Sequence, residues 1–308
     1  MQLFDLHCDS IESFKEKNAD FLCADTQFSL RELSQFRRLC QTMAVFIPDR
    51  LRGEAALQFF NEHKNYLDML LEKQPQLAEK VWAASDIERI TDSGKCAVVL
   101  SVEGGAALAG RLENVDYLAD CGVKMMTLVW NGENELASGH NTDKGFTEFG
   151  RQAVARMEEK GIIVDVSHLN DRGFSELCEF ATKPFIATHS NLRSVCGHKR
   201  NLTEPQFAEI VKRGGIVGIN IYKSFLSDDE KGDVDSIYRH ISRMLELDGE
   251  NVIACGSDFD GADIDESLDN PVKFASAAEY LLKKNISESI VNKIFFENAL
   301  RFFKEQAI

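Results

Sequence analysis

The chain has 308 residues, of which 44% are hydrophobic and 28% are charged, with 20 glycines and 5 prolines. This composition excludes collagen-like, low-complexity and wholly disordered chains, and the length is sufficient to bury a large core. The 35 basic and 50 acidic residues give a net charge of -15. Because nucleic-acid backbones and anionic lipids would repel such a chain, we expect neither a nucleic acid nor a membrane as its partner.

The eight cysteines are scattered, and none forms a C-x-x-C pair, which is typical of reduced and mostly buried thiols. The segment MQLFDLHCDS lacks the basic and apolar regions of a signal peptide. No stretch approaches the about 18 uninterrupted apolar residues of a membrane span. These features predict a cytoplasmic protein.

Eight short apolar runs recur along the chain, at residues 3–9, 40–48, 96–105, 125–130, 162–168, 184–190, 215–222 and 251–261. Continuous rather than alternating apolar residues are typical of strands buried on both faces. Helices are predicted between the runs, at residues 55–72, 150–160, 204–213, 236–246 and 287–305. Gly161 and Gly214 follow two of these helices, where a residue that tolerates a left-handed backbone is favoured.

Eight buried strands that alternate with helices predict an α/β protein, a (β/α)8 TIM-like barrel, formed by one metallo-hydrolase domain over residues 1–308. The alternative is an open, doubly wound sheet. It would be expected to have fewer strands and a glycine-rich first turn, and this sequence has no such turn.

Ionisable residues stand at the carboxyl ends of five apolar runs: His7, Asp9, Glu103, His168, His189 and Asp258. In a barrel these ends meet at one rim, where active sites are built. Imidazole and carboxylate groups suit Zn²⁺ or a similar divalent ion, and a bound cation would offset the cost of burying them. A lone strand-end histidine or a lone His-x-Asp is more often structural. The metal site is therefore predicted from the convergence of the set.

Other polar residues are predicted to have no functional role. His63 and His240 fall in predicted helices far from any strand end, and we expect them to be exposed. The acidic residues between 260 and 269 are expected in a solvated loop, with Asp260 as the exception to consider. Cys8 and Cys255 are expected to pack in the core.

The segments DLHCDS, SVEGG, DVSHLN, ATHSN and GSDFDG occur in this order, with further likeness in HSNLRSVCGHKRNLT, GIVGINIY and ENALRFF. In combination they resemble the renal (membrane) dipeptidase family of zinc peptidases over nearly the whole chain. The resemblance implies a TIM-like barrel with a binuclear zinc centre that hydrolyses the peptide bond of dipeptides. It extends the expected substrates to dipeptides with a D-residue at the C-terminal position, and it implies a homodimer.

The resemblance also assigns the metal ligands, residue by residue. His7 and Asp9 correspond to the ligands of one zinc ion, and His168 and His189 to those of the second. Glu103 corresponds to the carboxylate that bridges the two ions.

Two further residues correspond to groups that act on the substrate. Asp258 matches the catalytic acidic residue that transfers protons between water and the leaving amine. Arg200 matches the arginine that pairs with the C-terminal carboxylate of the substrate, a role that suits a planar guanidinium. Without this resemblance, nothing in the sequence would distinguish Arg200 from an ordinary charged residue in a surface loop.

One position departs from the family pattern. Trp130 occupies the place of the histidine that polarises the scissile carbonyl in the animal enzymes, and an indole donates one neutral N–H and cannot become cationic. His140, in the loop beyond, or Asn131 could supply a donor instead, and His140 as a plain loop residue stays open. Tyr222, at a strand end, is expected to form part of the pocket wall.

Two alternatives to a dipeptidase stay open, because a fold does not determine a function. One is an amidohydrolase or phosphoesterase that acts on a non-peptide substrate with the same binuclear metal site. A phosphoesterase would need more than one cation near that site. The other is a barrel that has lost catalysis and serves as a binding protein.

Overall fold

The computed structural model of the chain describes residues 1–306. Every strand in this part of the chain pairs in parallel with its neighbours. The strands are β1 (Gln2–Asp5), β2 (Arg38–Phe46), β3 (Ala78–Lys80), β4 (Cys96–Glu103), β5 (Val123–Thr127), β6 (Ile163–Asp165), β7 (Val217–Ile219) and β8 (Ile253–Cys255).

The strands curl into a barrel in the order β6-β5-β4-β2-β1-β8-β7. Residues 184–190 fill the place between β6 and β7, through single bridges from Ile186 to Asp165 and from Ala187 to Val217. The short strand β3 lies off this path and pairs only with the start of β4. The arrangement confirms the predicted (β/α)8 barrel. The sixth strand position is reduced to bridges, and β3 is an addition that was not predicted.

The helices are α1 (Ser10–Glu16), α2 (Gly53–Lys73), α3 (Ala84–Asp92), α4 (Glu113–Asp120), α5 (Glu148–Lys160), α6 (Asp171–Phe180), α7 (Glu204–Arg213), α8 (Lys223–Leu226), α9 (Val234–Glu246), α10 (Pro271–Lys283), α11 (Glu288–Asn292) and α12 (Asn298–Glu305). A π-helical turn, Lys293–Glu297, joins α11 to α12. Gly161 and Gly214 end α5 and α7 with φ values of 74° and 72°, as predicted. No helix within residues 1–306 is both long enough and apolar enough to span a lipid bilayer.

The core includes a cluster near the amino-terminal ends of the strands. Phe4, Cys40 and Ala97 are neighbours in register on β1, β2 and β4, so they share one face of the sheet. The ring of Phe4 lies 5.1 Å from that of Phe303 and 5.9 Å from that of Phe296. The C-terminal helical segment therefore packs on the first strand.

The prediction that His63 and His240 are exposed is wrong, because both are buried. The His63 ring pairs through Nδ1 with the carbonyl of Phe59 at 2.8 Å. In His240, Nδ1 accepts from the amide of Leu192 at 3.2 Å and Nε2 donates to the carbonyl of Leu226 at 3.0 Å. Hydrogen bonds to the backbone thus make these imidazoles suitable for the interior.

Candidate metal centre and active site

The five predicted metal ligands lie together at the carboxyl ends of the strands, and each is at most 8% exposed: His7, Asp9, Glu103, His168 and His189. Glu103 is the last residue of β4. His7 and Asp9 follow β1 instead of ending it, since that strand stops at Asp5. The barrel rim therefore gathers side chains that are far apart in the sequence.

Glu103 occupies the centre of this cluster. Its Oε2 atom lies 3.7 Å from Nε2 of His7, whereas Oε1 lies 2.9 Å from Nε2 of His168 and 3.5 Å from Nε2 of His189. Potential ligand atoms of His7, Asp9 and Glu103 fall within 4.8 Å of one another, and so do those of Glu103, His168 and His189. The two oxygens of one carboxylate thus face two sets of donors.

The donor atoms fit divalent cations. Nε2 of His7 and Oδ1 of Asp9 are buried and have no hydrogen-bond partner among the 306 residues that the structure describes, which is costly for polar atoms. The Nε2 atoms of His168 and His189 approach each other to 3.1 Å. A pair of cations would satisfy these convergent atoms, and imidazole nitrogen with carboxylate oxygen is a donor set that zinc prefers.

Neighbouring side chains orient the two histidines of the second set. The Thr188 hydroxyl donates to Oδ2 of Asp165 at 2.6 Å, so it accepts the Nδ1 proton of His189 at 2.8 Å. Oδ1 of Asn131 lies 3.1 Å from Nδ1 of His168 and accepts its proton in the same way. In both rings this pairing leaves the Nε2 lone pair free for a metal.

The electrostatics of the cluster favour a cation. Burial lowers the pKa of His7, but the charges of Asp9 and Glu103 outweigh burial and raise this pKa to about 10. Burial, followed by the charge of Asp9, raises the pKa of Glu103 well above its ordinary value. Burial lowers the pKa of His168 and of His189 well below the usual range of an imidazole.

Asp258 lies beside this cluster on the loop after β8. Its Oδ1 atom is 3.8 Å from Nε2 of His7, and its Oδ2 atom accepts from Nδ2 of Asn220 at 2.9 Å. Asp258 and His168 have φ values of 68° and 69°, a left-handed backbone that residues other than glycine rarely adopt. Gly261 is required for space, because a Cβ atom there would lie 2.0 Å from Oδ2 of Asp9.

Arg200 is buried next to the cluster. Its guanidinium donates to Oγ of Ser190 at 2.8 Å and to the carbonyl of His189 at 3.0 Å, and it lies 5.6 Å from the ring centre of Phe225. Its Nε atom is buried and has no hydrogen-bond partner among residues 1–306. Burial lowers the pKa of Arg200 to about 10. A buried cation with an unused donor is suited to an anionic ligand.

A cavity of about 450 Å³ opens beside the cluster. Trp130, Asn131 and Tyr222 belong to its lining, and the Trp130 ring packs edge-on against Phe46 with 4.9 Å between ring centres. The other polar residues of the lining are acidic or histidine: Asp9, Glu12, Glu103, His168, Asp258, Asp260 and Asp263. Within the described residues 1–306, no lysine or arginine belongs to this lining.

His140 lies in an adjoining recess of about 590 Å³, together with His198 and Tyr222. Its ring centre is 5.8 Å from that of His168, and its Nδ1 atom is buried without a partner among residues 1–306. Burial, and then the charge of Arg200, lowers the pKa of His140 to about 3. His140 is therefore a neutral imidazole at pH 7, and like Trp130 it can offer only a neutral N–H.

Several residues that orient the candidate ligands were not predicted from the sequence. Asp165 and Thr188 stand three and one positions before His168 and His189, so the DVSH and ATHS segments contained a signal for them. Asn220 is a polar residue inside the apolar run GIVGINIY, which is also a signal. Asp260 accepts hydrogen bonds from Ser10 and from the amide of Gln27, so it belongs to the structured part of its loop.

Comparison with known proteins places this geometry in a family. The family model described as membrane dipeptidase (peptidase family M19) matches residues 1–308. An uncharacterized protein in the pqqA 5' region of Klebsiella pneumoniae is 31% identical over 234 residues, which cover 72% of this chain and 86% of that protein.

Two solved structures share the fold. One is a metallo peptidase described as dipeptidase AC, with 23% identity, a TM-score of 0.93, and coverage of 100% of this chain and 99% of that one. The other is a metallo peptidase from Rhodobacter sphaeroides, liganded with a phosphinate mimic of the dipeptide L-Ala-D-Ala. It has 22% identity and a TM-score of 0.93, and covers the same shares of the two chains. The chain therefore belongs to the membrane dipeptidase family, peptidase family M19.

Proposed function

We propose that the protein is a dipeptidase that uses two zinc ions and that residues 1–308 form a single metallo-hydrolase domain. The observation that carries this proposal is the position of Glu103, whose two carboxylate oxygens face two separate sets of donors. His7 and Asp9 would complete one zinc site, and His168 and His189 the other. When bound, zinc supplies Lewis acidity and a water that ionises near neutral pH.

Asp258 is the proposed proton carrier. Asn220 fixes one of its carboxylate oxygens, and the other is directed toward His7 at the edge of the cluster. Burial raises the pKa of Asp258, which makes the carboxylate a better proton acceptor. In this role it takes a proton from the attacking water and delivers it to the departing nitrogen.

Arg200 is the proposed binding group for the free C-terminal carboxylate. Its buried Nε–H has no partner among residues 1–306, and a guanidinium can hold a carboxylate through two hydrogen bonds. A binding group for a free carboxylate beside the metal cluster would place the scissile bond directly before the C-terminal residue, as in a dipeptide. The L-Ala-D-Ala mimic in the Rhodobacter sphaeroides relative supports an extension to dipeptides with a C-terminal D-residue.

The charge around the cavity argues against the phosphoester alternative. A site for a phosphoester would be expected to place several cations around the phosphate. Here the lining contains no lysine or arginine in the part of the chain that the structure describes, and Arg200 is a buried cation beside the cluster.

Zinc analysis combined with a dipeptide panel tests the proposal. We expect about two zinc ions per chain. We also expect hydrolysis of L-L and L-D dipeptides that a chelator abolishes. Zinc-replete protein that hydrolyses no member of the panel would favour an amidohydrolase or phosphoesterase instead.

Two variants test the assigned roles. Glu103→Ala should lose bound zinc and activity together, because each set of donors loses a ligand. Asp258→Asn should retain zinc while kcat falls by about 10²- to 10⁴-fold, the usual contribution of acid–base catalysis. Near wild-type turnover by Asp258→Asn would exclude its role as the proton carrier.

A further inference from the structure

Glu12 is a carboxylate in the cavity lining. Of the lining carboxylates outside the metal cluster, Asp260 accepts from Ser10 and Gln27, and Asp263 pairs with Lys223 at 3.1 Å. The side chain of Glu12 has no hydrogen bond and no ion pair within 4.0 Å among residues 1–306. This leaves one unused negative charge in the wall of the cavity.

The surroundings of Glu12 do not neutralise it. It is half-buried in the first turn of α1, three residues after Asp9. Burial, followed by the charges of Glu16 and Asp9, raises its pKa, while the smaller effects of Arg50 and Lys15 act in the opposite direction. Lys15 is already paired with Glu62 at 3.4 Å. A cation from a ligand would therefore meet an available carboxylate here.

Glu12 and Arg200 occupy distant parts of the rim. Glu12 follows β1, whereas Arg200 follows the bridging run 184–190, three strand positions away around the barrel. Arg200 donates to the carbonyl of His189, a ligand of the second set, whereas Glu12 lies in the first turn of the helix that follows Asp9, a ligand of the first set. With the carboxylate of a dipeptide at Arg200 and its peptide bond at the metal cluster, the N-terminal residue is therefore expected on the side of Glu12. The aromatic rings of Phe46 and Trp130 belong to the same cavity wall.

We infer that Glu12 selects dipeptides whose N-terminal residue has a basic side chain, lysine or arginine. The long aliphatic part of such a side chain packs well on aromatic rings, and its charged end can pair with a carboxylate. This inference depends on the proposed dipeptidase function and gives it a substrate class.

The test compares kcat/KM for Lys-Ala, Met-Ala and Glu-Ala in the zinc-loaded wild type and in Glu12→Gln. We expect the wild type to prefer Lys-Ala over Met-Ala, and the substitution to reduce this ratio about tenfold, which corresponds to about 1.4 kcal/mol. Glu-Ala should be the poorest substrate of the wild type. Glu12→Lys should improve the hydrolysis of Glu-Ala relative to Lys-Ala.

Glu16→Gln is the matched control, because it removes the same charge from an exposed position of the same helix outside the lining. It should leave the ratio of Lys-Ala to Met-Ala unchanged. The zinc content of all variants should equal that of the wild type, which separates substrate selection from metal loss.

Two results would overturn the inference. If Glu12→Gln lowered kcat/KM equally for Lys-Ala and Met-Ala, Glu12 would bind the α-amino group that both substrates share. An unchanged ratio would mean that it binds neither. Both results require a wild type that hydrolyses dipeptides, whereas inactivity toward every dipeptide would contradict the proposed function itself.

Discussion

Thr188 connects a candidate metal ligand, His189, to the carboxylate of Asp165. Its hydroxyl lies 2.6 Å from Oδ2 of Asp165 and 2.8 Å from Nδ1 of His189, and all three residues are buried. Asp165 also accepts from the Thr127 hydroxyl at 2.6 Å and from two backbone amides. Because Asp165 is anchored by four donors, the hydroxyl of Thr188 has a fixed direction, and so does the imidazole.

Thr188→Val should weaken zinc binding by about 10- to 100-fold, the usual effect of removing a group that orients a metal-binding histidine. Titration against a chromophoric chelator measures this affinity directly, without relying on activity. Thr188→Ser keeps the hydroxyl and should bind zinc nearly as well as the wild type. If the valine variant matched the serine variant, the hydroxyl would have no part in orienting His189.

The sequence predicted which ionisable residues meet but not what orients them. His168 and His189 could be placed at the rim because each ends an apolar run, and barrel geometry brings such ends together. The roles of Thr188 and Asn131 depend on side-chain directions, which a strand pattern does not specify. The burial of His240 was missed because its partners, the backbone groups of residues 192 and 226, are distant in the sequence.

At the scale of elements, the C-terminal helical segment packs against the first strand. Phe303 of α12 is fully buried and lies against Phe4 of β1, which shares a face of the sheet with Cys40 and Ala97. These residues lie near the amino-terminal ends of the strands, whereas the metal cluster lies at the carboxyl ends. The C-terminal helical segment therefore packs against β1 and stabilises the end of the barrel opposite the metal cluster.

Phe303→Ala should lower the free energy of unfolding by about 3 to 5 kcal/mol, because it removes buried apolar surface and leaves a cavity. Urea denaturation followed by circular dichroism measures the loss. Phe303→Leu fills most of the volume of the phenylalanine ring, so its free energy of unfolding should fall clearly less. Folded Phe303→Ala should keep the zinc content of the wild type. A loss of zinc would show that packing at the amino-terminal end of the barrel affects the metal cluster at the other end.

Apolar content explains which strands the sequence predicts well. Almost all residues of β2 and β4 are buried and most are apolar, the pattern of a barrel strand. The strands β6, β7 and β8 have only three residues each, but they belong to longer apolar runs. The strand β3 is equally short, and its sequence Ala-Glu-Lys belongs to no such run. The π-helical turn between α11 and α12 was also not visible, since the apolar spacing there indicated one uninterrupted helix.

For the molecule as a whole, His240 links stability to pH. Burial, which outweighs its hydrogen bond to the carbonyl of Leu226, lowers the pKa of His240 to about 4. The charged neighbours Arg239 and Asp228 have smaller effects of opposite sign. An unfolded histidine has a pKa of about 6.5, so below that pH the unfolded chain binds a proton that the folded chain rejects.

The contribution of His240 to stability should therefore fall by about 2 kcal/mol between pH 7 and pH 5. His240→Gln lacks this titration and keeps an amide that can donate to Leu226. Urea unfolding of both proteins at the two pH values gives the difference. The free energy of unfolding of the variant should rise relative to that of the wild type as the pH falls. If the difference in unfolding free energy between the two proteins did not depend on pH, His240 would titrate normally in the folded chain.

His168 and Asp258 combine a function with a backbone that does not suit them. A left-handed conformation costs a residue other than glycine about 1 kcal/mol or more. Glycine would adopt this conformation at a lower cost at both positions, but it has neither an imidazole nor a carboxylate. Selection for stability alone would therefore replace His168 and Asp258. Their retention means that the stability of the rest of the barrel offsets the cost of these two backbone conformations.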